Sequence, residues 1–203
     1  MSVPDLTLVN DAARGVHLLG LAMGFGVALV ADASAARSLI RPLDARELLM
    51  LQRYHRVVLF GLALFWSSGV VLIWLRTGFE ASSFSPKLQA KIGIVCVLTV
   101  NAMLIGKIGL PVMFHYQGFR FGVLPIAERL RLALLGALSS ACWISAMALG
   151  VFSQLKTVSW EVLNQIIGAI FLLGLTGALF TVLFSPLLVF AMDRFRRGQA
   201  ARF

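Results

Sequence analysis

HLLGLAMGFGVALVADASAAR, residues 17 to 37, is the stretch that decides the fold. It opens on a histidine, closes on an arginine, and carries no charge over residues 18–31. A helix rises about 1.5 Å per residue and needs roughly 20 residues to cross a bilayer core that is about 30 Å thick. The stretch therefore predicts a membrane-spanning helix whose polar ends lie at the two membrane faces.

Small residues follow His17 along one side of this predicted helix. At about 100° per residue, that side holds Gly20, Gly24, Ala28, Ala31 and Ala35. In lipid, such a groove lets a neighbouring helix, or a flat ligand, approach the backbone closely. Both kinds of occupant stay open on the sequence.

Composition extends this interpretation to the whole chain. The 203 residues are 59% hydrophobic and 13% charged, with a mean hydropathy of +0.89, which excludes a water-soluble globular domain. Four further apolar runs follow, at residues 57–75, 87–110 and 132–152, and from Trp160 to about residue 192. We expect an all-α integral membrane protein with five transmembrane helices in a single domain, residues 1–203.

The basic residues predict how these helices are oriented. A net charge of +9 is typical of nucleic-acid binders, but here the charges lie between apolar runs. Thirteen of the 18 lysines and arginines fall on one predicted side: Arg37, Arg41, Arg46, Arg53, Arg56, Lys107, Arg120, Arg129, Arg131, Arg194, Arg196, Arg197 and Arg202. By the positive-inside rule this side is cytoplasmic, so the N-terminus is predicted outside and the C-terminus inside. We expect the bacterial inner membrane, membrane lipid as a partner, and no nucleic acid.

Local signals predict where the helices begin and end. Residues 1–12 read as a short outer segment, with Asn10 or Asp11 capping the first helix. Residues 43–56 predict an interfacial turn of helix that leads into the second span. Pro111 is expected to stop the third span.

The fifth span is too long for a straight crossing. Its roughly 33 residues would stretch about 50 Å if helical throughout, and Pro186 is the natural bend. Gly177, Thr181 and Ser185 repeat every fourth residue and predict a packing face.

Two smaller features have alternative interpretations. Residues 31–35 imitate a signal-peptide cleavage site, but the chain before them lacks a basic region, so we expect the segment to be retained. Cys96 and Cys142 both fall inside predicted spans. We interpret them as two buried apolar thiols, with a disulfide as the alternative.

Polar residues in or near the spans are the candidates for function, because they are costly in lipid. Phosphate-binding loops and the motifs GxGxxG, HExxH and CxxC are absent. His17 and Lys91 are predicted at the outer end, and His55 and His115 at the inner end. The open ligand pairs are therefore His17 with Lys91 and His55 with His115, whereas His17 and His55 are a membrane thickness apart.

Three other polar residues have expected partners. Asp32 is interpreted as an ion-pair partner of Arg37 or of a basic residue in the following loop, with a proton or ion path as the alternative. Asn101 and Asn164 are expected to form hydrogen bonds between helices.

Four short motifs carry a family resemblance. They are His17 within HLLGLAMG, SGVVL at residues 68–72, SPKLQAK at residues 85–91 and VCVL at residues 95–98. Over about residues 13–111, they resemble the membrane families around the HemJ-type protoporphyrinogen oxidase and the copper-resistance protein CopD. In the haem-containing branch, a first-span histidine and the lysine that opens the third span lie at the haem. The resemblance therefore implies that His17 and Lys91 lie at a haem. A histidine that such families often show late in the third span is replaced here by a region containing Asn101 and Gly106.

The first functional hypothesis is binding of a b-type haem or similar porphyrin near the outer face, with a role in redox chemistry or haem metabolism. His17 would be the axial ligand to the haem iron, and Lys91 a sixth ligand or a charge for a propionate. The groove of Gly20, Gly24 and Ala28 would admit the ring.

Two other hypotheses come from different classes. A non-catalytic accessory or assembly subunit of a larger membrane complex, or a homo-oligomer, fits the small-residue stripes on spans one, four and five. Transport has Asp32, Lys91 and Asn101 in its favour.

Overall fold

The computed structural model describes the backbone of residues 3–200 and the side chains of residues 6–155 and 157–195. Five long helices follow one another in this part of the chain, which contains no strand: α1 is Val3–Ala36, α2 is Ala45–Thr77, α3 is Pro86–His115, α4 is Ile126–Val151 and α5 is Trp160–Ala200. A turn of 3-10 helix lies in each connection.

All five helices are long and apolar enough to cross a membrane. The shortest, α4, has 26 residues, which at about 1.5 Å per residue exceeds the thickness of a hydrocarbon core. The prediction of an all-helical chain with five helices of spanning length is confirmed.

Successive helices run antiparallel, so the bundle has two ends. His17 on α1 contacts Ser68 late in α2, and Lys87 at the start of α3 donates a hydrogen bond to the carbonyl of Phe152, directly after α4. We call this end, where α1 begins, the N-terminal end. The opposite end, where α1 and α5 finish, is the C-terminal end.

The first helix begins earlier than predicted. It starts at Val3, so Asn10 and Asp11 lie inside the helix, and the prediction of a separate segment at residues 1–12 was wrong. The physical reason is that no glycine occurs before Gly15 and that Pro4, in the first turn, occupies a position where proline is tolerated.

The predicted interfacial turn at residues 43–56 is part of α2. The helix begins at Ala45 and continues without interruption. Asp44 caps it, because its carboxylate accepts the Glu47 N–H at 2.8 Å while the Glu47 carboxylate accepts the Asp44 N–H at 3.1 Å. This capping box supplies the start signal of α2 at Asp44, so residues 43–56 need no separate helix.

The third helix does not stop at Pro111, as predicted. A π-helical turn at Ile105–Gly109 precedes the proline, and α-helix resumes over Leu110–His115. The amide of Leu110 bonds to the carbonyl of Ile105, five residues back. A widened turn of this kind accommodates a proline ring that would clash with the preceding turn of a regular α-helix.

Backbone contact holds α1 and α2 together. A Cβ atom at Gly61 would lie 2.6 Å from the amide nitrogen of Gly24, and one at Gly20 would lie 2.7 Å from that of Phe65. Glycine on both helices therefore permits an approach that a side chain would prevent.

The core lies between the α1–α2 pair and helices α3 to α5. Its largest fully buried side chain is Trp143 on α4, which packs against Gly24 and Phe25 of α1. A hydrogen bond of 2.9 Å from Trp66 Nε1 to Thr99 Oγ1 joins α2 to α3.

The two cysteines are separate free thiols. Cys142 is wholly buried in the core, whereas Cys96 is exposed on α3. The interpretation is therefore confirmed for the absence of a disulfide and for the burial of Cys142. The expected burial of Cys96 was wrong, because its side of α3 faces away from the core.

Pro186 lies within α5, and an arginine replaces the hydrogen bond that the proline removes. Proline has no amide hydrogen, so the carbonyl of Val182, four residues earlier, loses its helical partner. Arg129 on α4 donates to this oxygen at 2.7 Å. Ser185, of the predicted packing face, is buried beside it, whereas Gly177 is exposed.

We expect Arg129→Met to lower the free energy of unfolding by about 2 kcal/mol, because it leaves a buried carbonyl without a donor. In a Pro186→Ala background the backbone amide returns, so the same substitution should cost under about 1 kcal/mol. Denaturant titration in detergent measures both, with Arg131→Met, at an exposed ion pair with Glu128, as the control. Equal costs in the two backgrounds would contradict this role of Arg129.

Candidate binding site around His17

His17 lies one helical turn before the close contact of α1 and α2, and α2 fixes its ring. The imidazole stacks on Phe65 with ring centroids 4.0 Å apart, and its Nδ1 lies 3.0 Å from Ser68 Oγ. The edge of the ring lies next to Gly69, where a Cβ would meet His17 Cε1 at 3.5 Å, an ordinary van der Waals distance. The ring is therefore held on one face and at one nitrogen.

Ser68 also determines which nitrogen of His17 carries the proton. The buried hydroxyl lies 2.6 Å from the carbonyl oxygen of Leu64 and 3.2 Å from that of Phe65, and it donates within α2. Since its only hydrogen is used there, Ser68 Oγ accepts from His17, and Nδ1 is the protonated nitrogen. The lone pair is then on Nε2, which is the arrangement of a metal-binding histidine held by a hydrogen bond at its other nitrogen.

Two cations lie close enough to act electrostatically on the His17 ring. They are Lys91, in the second turn of α3, and Arg76, in the last turn of α2. Lys91 is half-buried and Arg76 is exposed. The structure thus places His17 and Lys91, paired from the sequence, in one region at the N-terminal end, where positive charge favours an anionic ligand.

The groove of small residues below His17 is filled by protein. Gly20 and Gly24 contact the backbone of α2, and a Cβ at Gly24 would also lie 2.3 Å from Cη2 of Trp143. Ala28 is buried in the same core. Of the two occupants left open by the sequence, a neighbouring helix takes this groove, and a porphyrin ring does not fit there. His17, by contrast, fits the chemistry of an axial ligand.

The histidines at the C-terminal end are not brought together. His55 Nε2 packs on the π-helical turn of α3, where a Cβ at Gly106 would lie 2.8 Å away. His115 is exposed and packs edge-on against Tyr116. Nine residues of helix separate Gly106 from His115, which is a distance of about 13 Å. This geometry gives no support to a ligand pair of His55 and His115.

Asp32 has a partner on α4 instead of the expected arginine. Its carboxylate accepts a hydrogen bond of 2.9 Å from Ser140, whereas Arg37 lies 3.9 Å from Glu47. The expected pair with Arg37 was wrong, because five residues of helix turn the two side chains about 140° apart.

Within the part of the chain that the structure describes, Asn101 forms the expected hydrogen bond between helices, whereas Asn164 does not. Asn101 is fully buried and donates from Nδ2 to the carbonyl of Leu135 at 3.0 Å, which joins α3 to α4 as predicted. Asn164 is exposed, and the expected hydrogen bond between helices is not found for it. Its position in the second turn of α5 explains its exposure, because it lies near the N-terminal end of the bundle.

Among the side chains that the structure describes, no three histidine, cysteine, aspartate or glutamate residues come together as a metal site. A haem iron differs from a bare ion in this respect, because the porphyrin supplies four ligands and the protein only one or two.

Ser68 and Phe65 are the site residues that sequence reasoning did not identify. A signal for Ser68 was present: a serine inside an apolar span must find a hydrogen-bond partner, and antiparallel pairing of the first two helices places it beside His17. Phe65 carries no such signal, because it is one of 15 phenylalanines in a hydrophobic chain.

Comparisons with known proteins add no relative. No family model, no curated protein and no solved structure matches the chain.

Proposed function

We propose that the chain is an integral membrane protein that crosses the bacterial inner membrane five times. In this proposal the N-terminal end of the bundle faces outside and the C-terminal end faces the cytoplasm. Two observations support it. All five helices have spanning length and composition, and the five arginines of residues 37–56, in the α1–α2 connection and the first turns of α2, lie toward the C-terminal end.

We further propose that the outer end binds a b-type haem or a related porphyrin, with His17 as an axial ligand, as the resemblance to the haem-containing branch of the HemJ and CopD families implies. The observation that carries this proposal is the hydrogen bond between His17 Nδ1 and Ser68, since it commits one nitrogen and leaves Nε2 for iron. Lys91 would be the second axial ligand or would pair with a propionate, and Arg76 would pair with the other propionate.

When bound, the haem iron would supply a one-electron redox change. The residues of the chain would hold and orient it. Ser68 fixes the direction of the His17 lone pair, Phe65 covers one face of the imidazole and excludes water there, and the two cations neutralise the propionates. Gly20, Gly24 and Ala28 would have a packing role, because α2 and Trp143 occupy the space beside them.

An absorption spectrum of the protein purified after expression with a haem precursor tests this proposal. We expect a Soret band and a pyridine haemochrome typical of haem b. In Lys91→Leu, a change from low-spin to high-spin iron identifies Lys91 as a ligand, whereas weaker retention without a spin change identifies a propionate contact. Purified protein without a Soret band would overturn the haem proposal.

An accessory or assembly subunit is the second candidate, and α5 is the observation that favours it. Its apolar window is only 11% buried within the chain. A Cβ at Gly168 or Gly177 on this helix would meet no atom within 4 Å. Open glycines on an exposed apolar helix suit close approach of a second helix, from another subunit or a second copy. Cross-linking from Gly177→Cys in membranes would capture such a partner, and only uncross-linked chain would count against it.

A further inference from the structure

A cavity of about 140 Å³ lies between the end of α1 and the start of α2, at the C-terminal end of the bundle. Arg37 and Glu47 line the cavity nearest the C-terminal end, Ser34 and Met50 lie about one helical turn further along the helices, and Val30 lies one turn beyond Ser34. Val30 and Met50 are exposed at the surface of the bundle. Since each residue of helix advances about 1.5 Å, the wall changes from charged to apolar over about 10 Å.

The Glu47 carboxylate is hydrogen-bonded to Arg41, and not to Arg37. Arg41 donates two hydrogen bonds to the Glu47 carboxylate, from Nη1 at 2.8 Å and from Nη2. The hydrogen-bonded carboxylate raises the pKa of the Arg41 guanidinium above its usual value, so Arg41 stays charged at neutral pH. Arg37 lies 3.9 Å from Glu47, beyond hydrogen-bond distance, and its side chain is 61% exposed.

Positive charge is in excess at this end of the bundle, and Arg37 is the arginine that lines the cavity. Residues 37–56 contain five arginines, against Asp44 and Glu47, which leaves a net charge of +3. A guanidinium binds a phosphate through two parallel hydrogen bonds, and basic pockets between helices at the cytoplasmic face bind anionic lipid head groups. The apolar lining residues Val30 and Met50 are exposed at the bundle surface, where an acyl chain can lie along them. A soluble phosphate compound would make no use of these apolar contacts.

We propose that this cavity binds one anionic phospholipid of the cytoplasmic leaflet, with its phosphate at Arg37, its glycerol ester beside Ser34 and an acyl chain along Val30 and Met50. The cavity is lined in turn by a charged, a polar and an apolar residue, which is the order of phosphate, ester and acyl chain along the lipid. The inference rests on the proposed membrane insertion and orientation, and it is independent of haem.

Native mass spectrometry of the full chain, released from detergent after titration with phosphatidylglycerol or phosphatidylcholine, tests the proposal. The wild-type chain should retain one phosphatidylglycerol in preference to phosphatidylcholine. Arg37→Gln should lower this retention about fivefold, the effect of one arginine at an anionic lipid surface. Arg53→Gln is the matched control, because it removes the same charge from the same end at an exposed position outside the cavity.

A second variant keeps the charge and fills the cavity. Ser34→Leu should also lower retention of phosphatidylglycerol, and it remains informative if Arg37→Gln does not fold. Equal losses in Arg37→Gln and Arg53→Gln, no preference for phosphatidylglycerol, or full retention in Ser34→Leu would each overturn the lipid site. A chain that fails to incorporate into phosphatidylglycerol vesicles at all would instead overturn the proposed membrane insertion.

Discussion

Gly61→Ala is expected to lower the free energy of unfolding by about 3 kcal/mol, the upper range for an overpacked buried position. The new Cβ would lie 2.6 Å from the amide nitrogen of Gly24 and 3.0 Å from the carbonyl oxygen of Gly20. Both atoms belong to backbone, so no side-chain rotation relieves the clash, and α1 must move away from α2. His17, which depends on α2 for its orientation, would lose its contacts as well.

Gly26→Ala on α1 is the matched control, because a Cβ there would meet no atom within 4 Å. It should leave stability unchanged or raise it by less than about 1 kcal/mol, the difference in helix propensity. Unfolding by denaturant in detergent measures both variants. If Gly61→Ala were as stable as Gly26→Ala, the close contact of the first two helices would be contradicted.

His17→Ala is expected to abolish the Soret band of the purified protein. The substitution removes the nitrogen that the Ser68 hydrogen bond leaves unprotonated, and among the described residues His55 and His115 lie too far along the bundle to replace it. Ser68→Ala keeps the imidazole but not its orientation, so haem affinity should fall about 10- to 100-fold, the effect of losing such a second partner.

His55→Ala is the control for these spectra. It removes an imidazole of similar exposure at the opposite end of the bundle, so its Soret band should match that of the wild type. A full Soret band in His17→Ala, or its loss in His55→Ala, would contradict the assignment of the ligand. A Ser68→Ala spectrum and affinity identical to the wild type would contradict the orienting role of Ser68 alone.

The five long helices were predictable because their signal is strong and local. Apolar runs separated by charged or turn-forming residues are readable without knowledge of the tertiary structure. Their exact ends were less predictable. Pro111 normally ends a helix, and only a preceding π-helical turn, which sequence does not reveal, allows α3 to reach His115.

That His17 and Lys91 lie at the same end of the bundle was also predictable, because it follows from counting residues along the helices. The hydrogen-bond partners of side chains on neighbouring helices were not predictable. Arg129 reads as one basic residue among several near the end of a span, and its bond to Val182 depends on α5 passing beside α4 at Pro186. The pairing of Asp32 with Ser140 likewise depends on which helices are neighbours.

The groove of small residues on α1 shows what sequence spacing alone does not determine. Spacing correctly indicated that something approaches α1 at Gly20 and Gly24, but not whether that is a helix or a ligand. Only the positions of Phe65 and Trp143 decide between them in the structure.

Cysteine labelling tests the five-crossing arrangement, with His17 outside, most directly. In a Cys96→Ala background, Ser82→Cys lies in the connection between α2 and α3, and Gln117→Cys lies between α3 and α4, both at exposed positions. In intact spheroplasts, a membrane-impermeant maleimide should label Ser82→Cys and leave Gln117→Cys unlabelled until the membrane is permeabilised. Labelling of Gln117→Cys alone, or of both variants before permeabilisation, would contradict the arrangement.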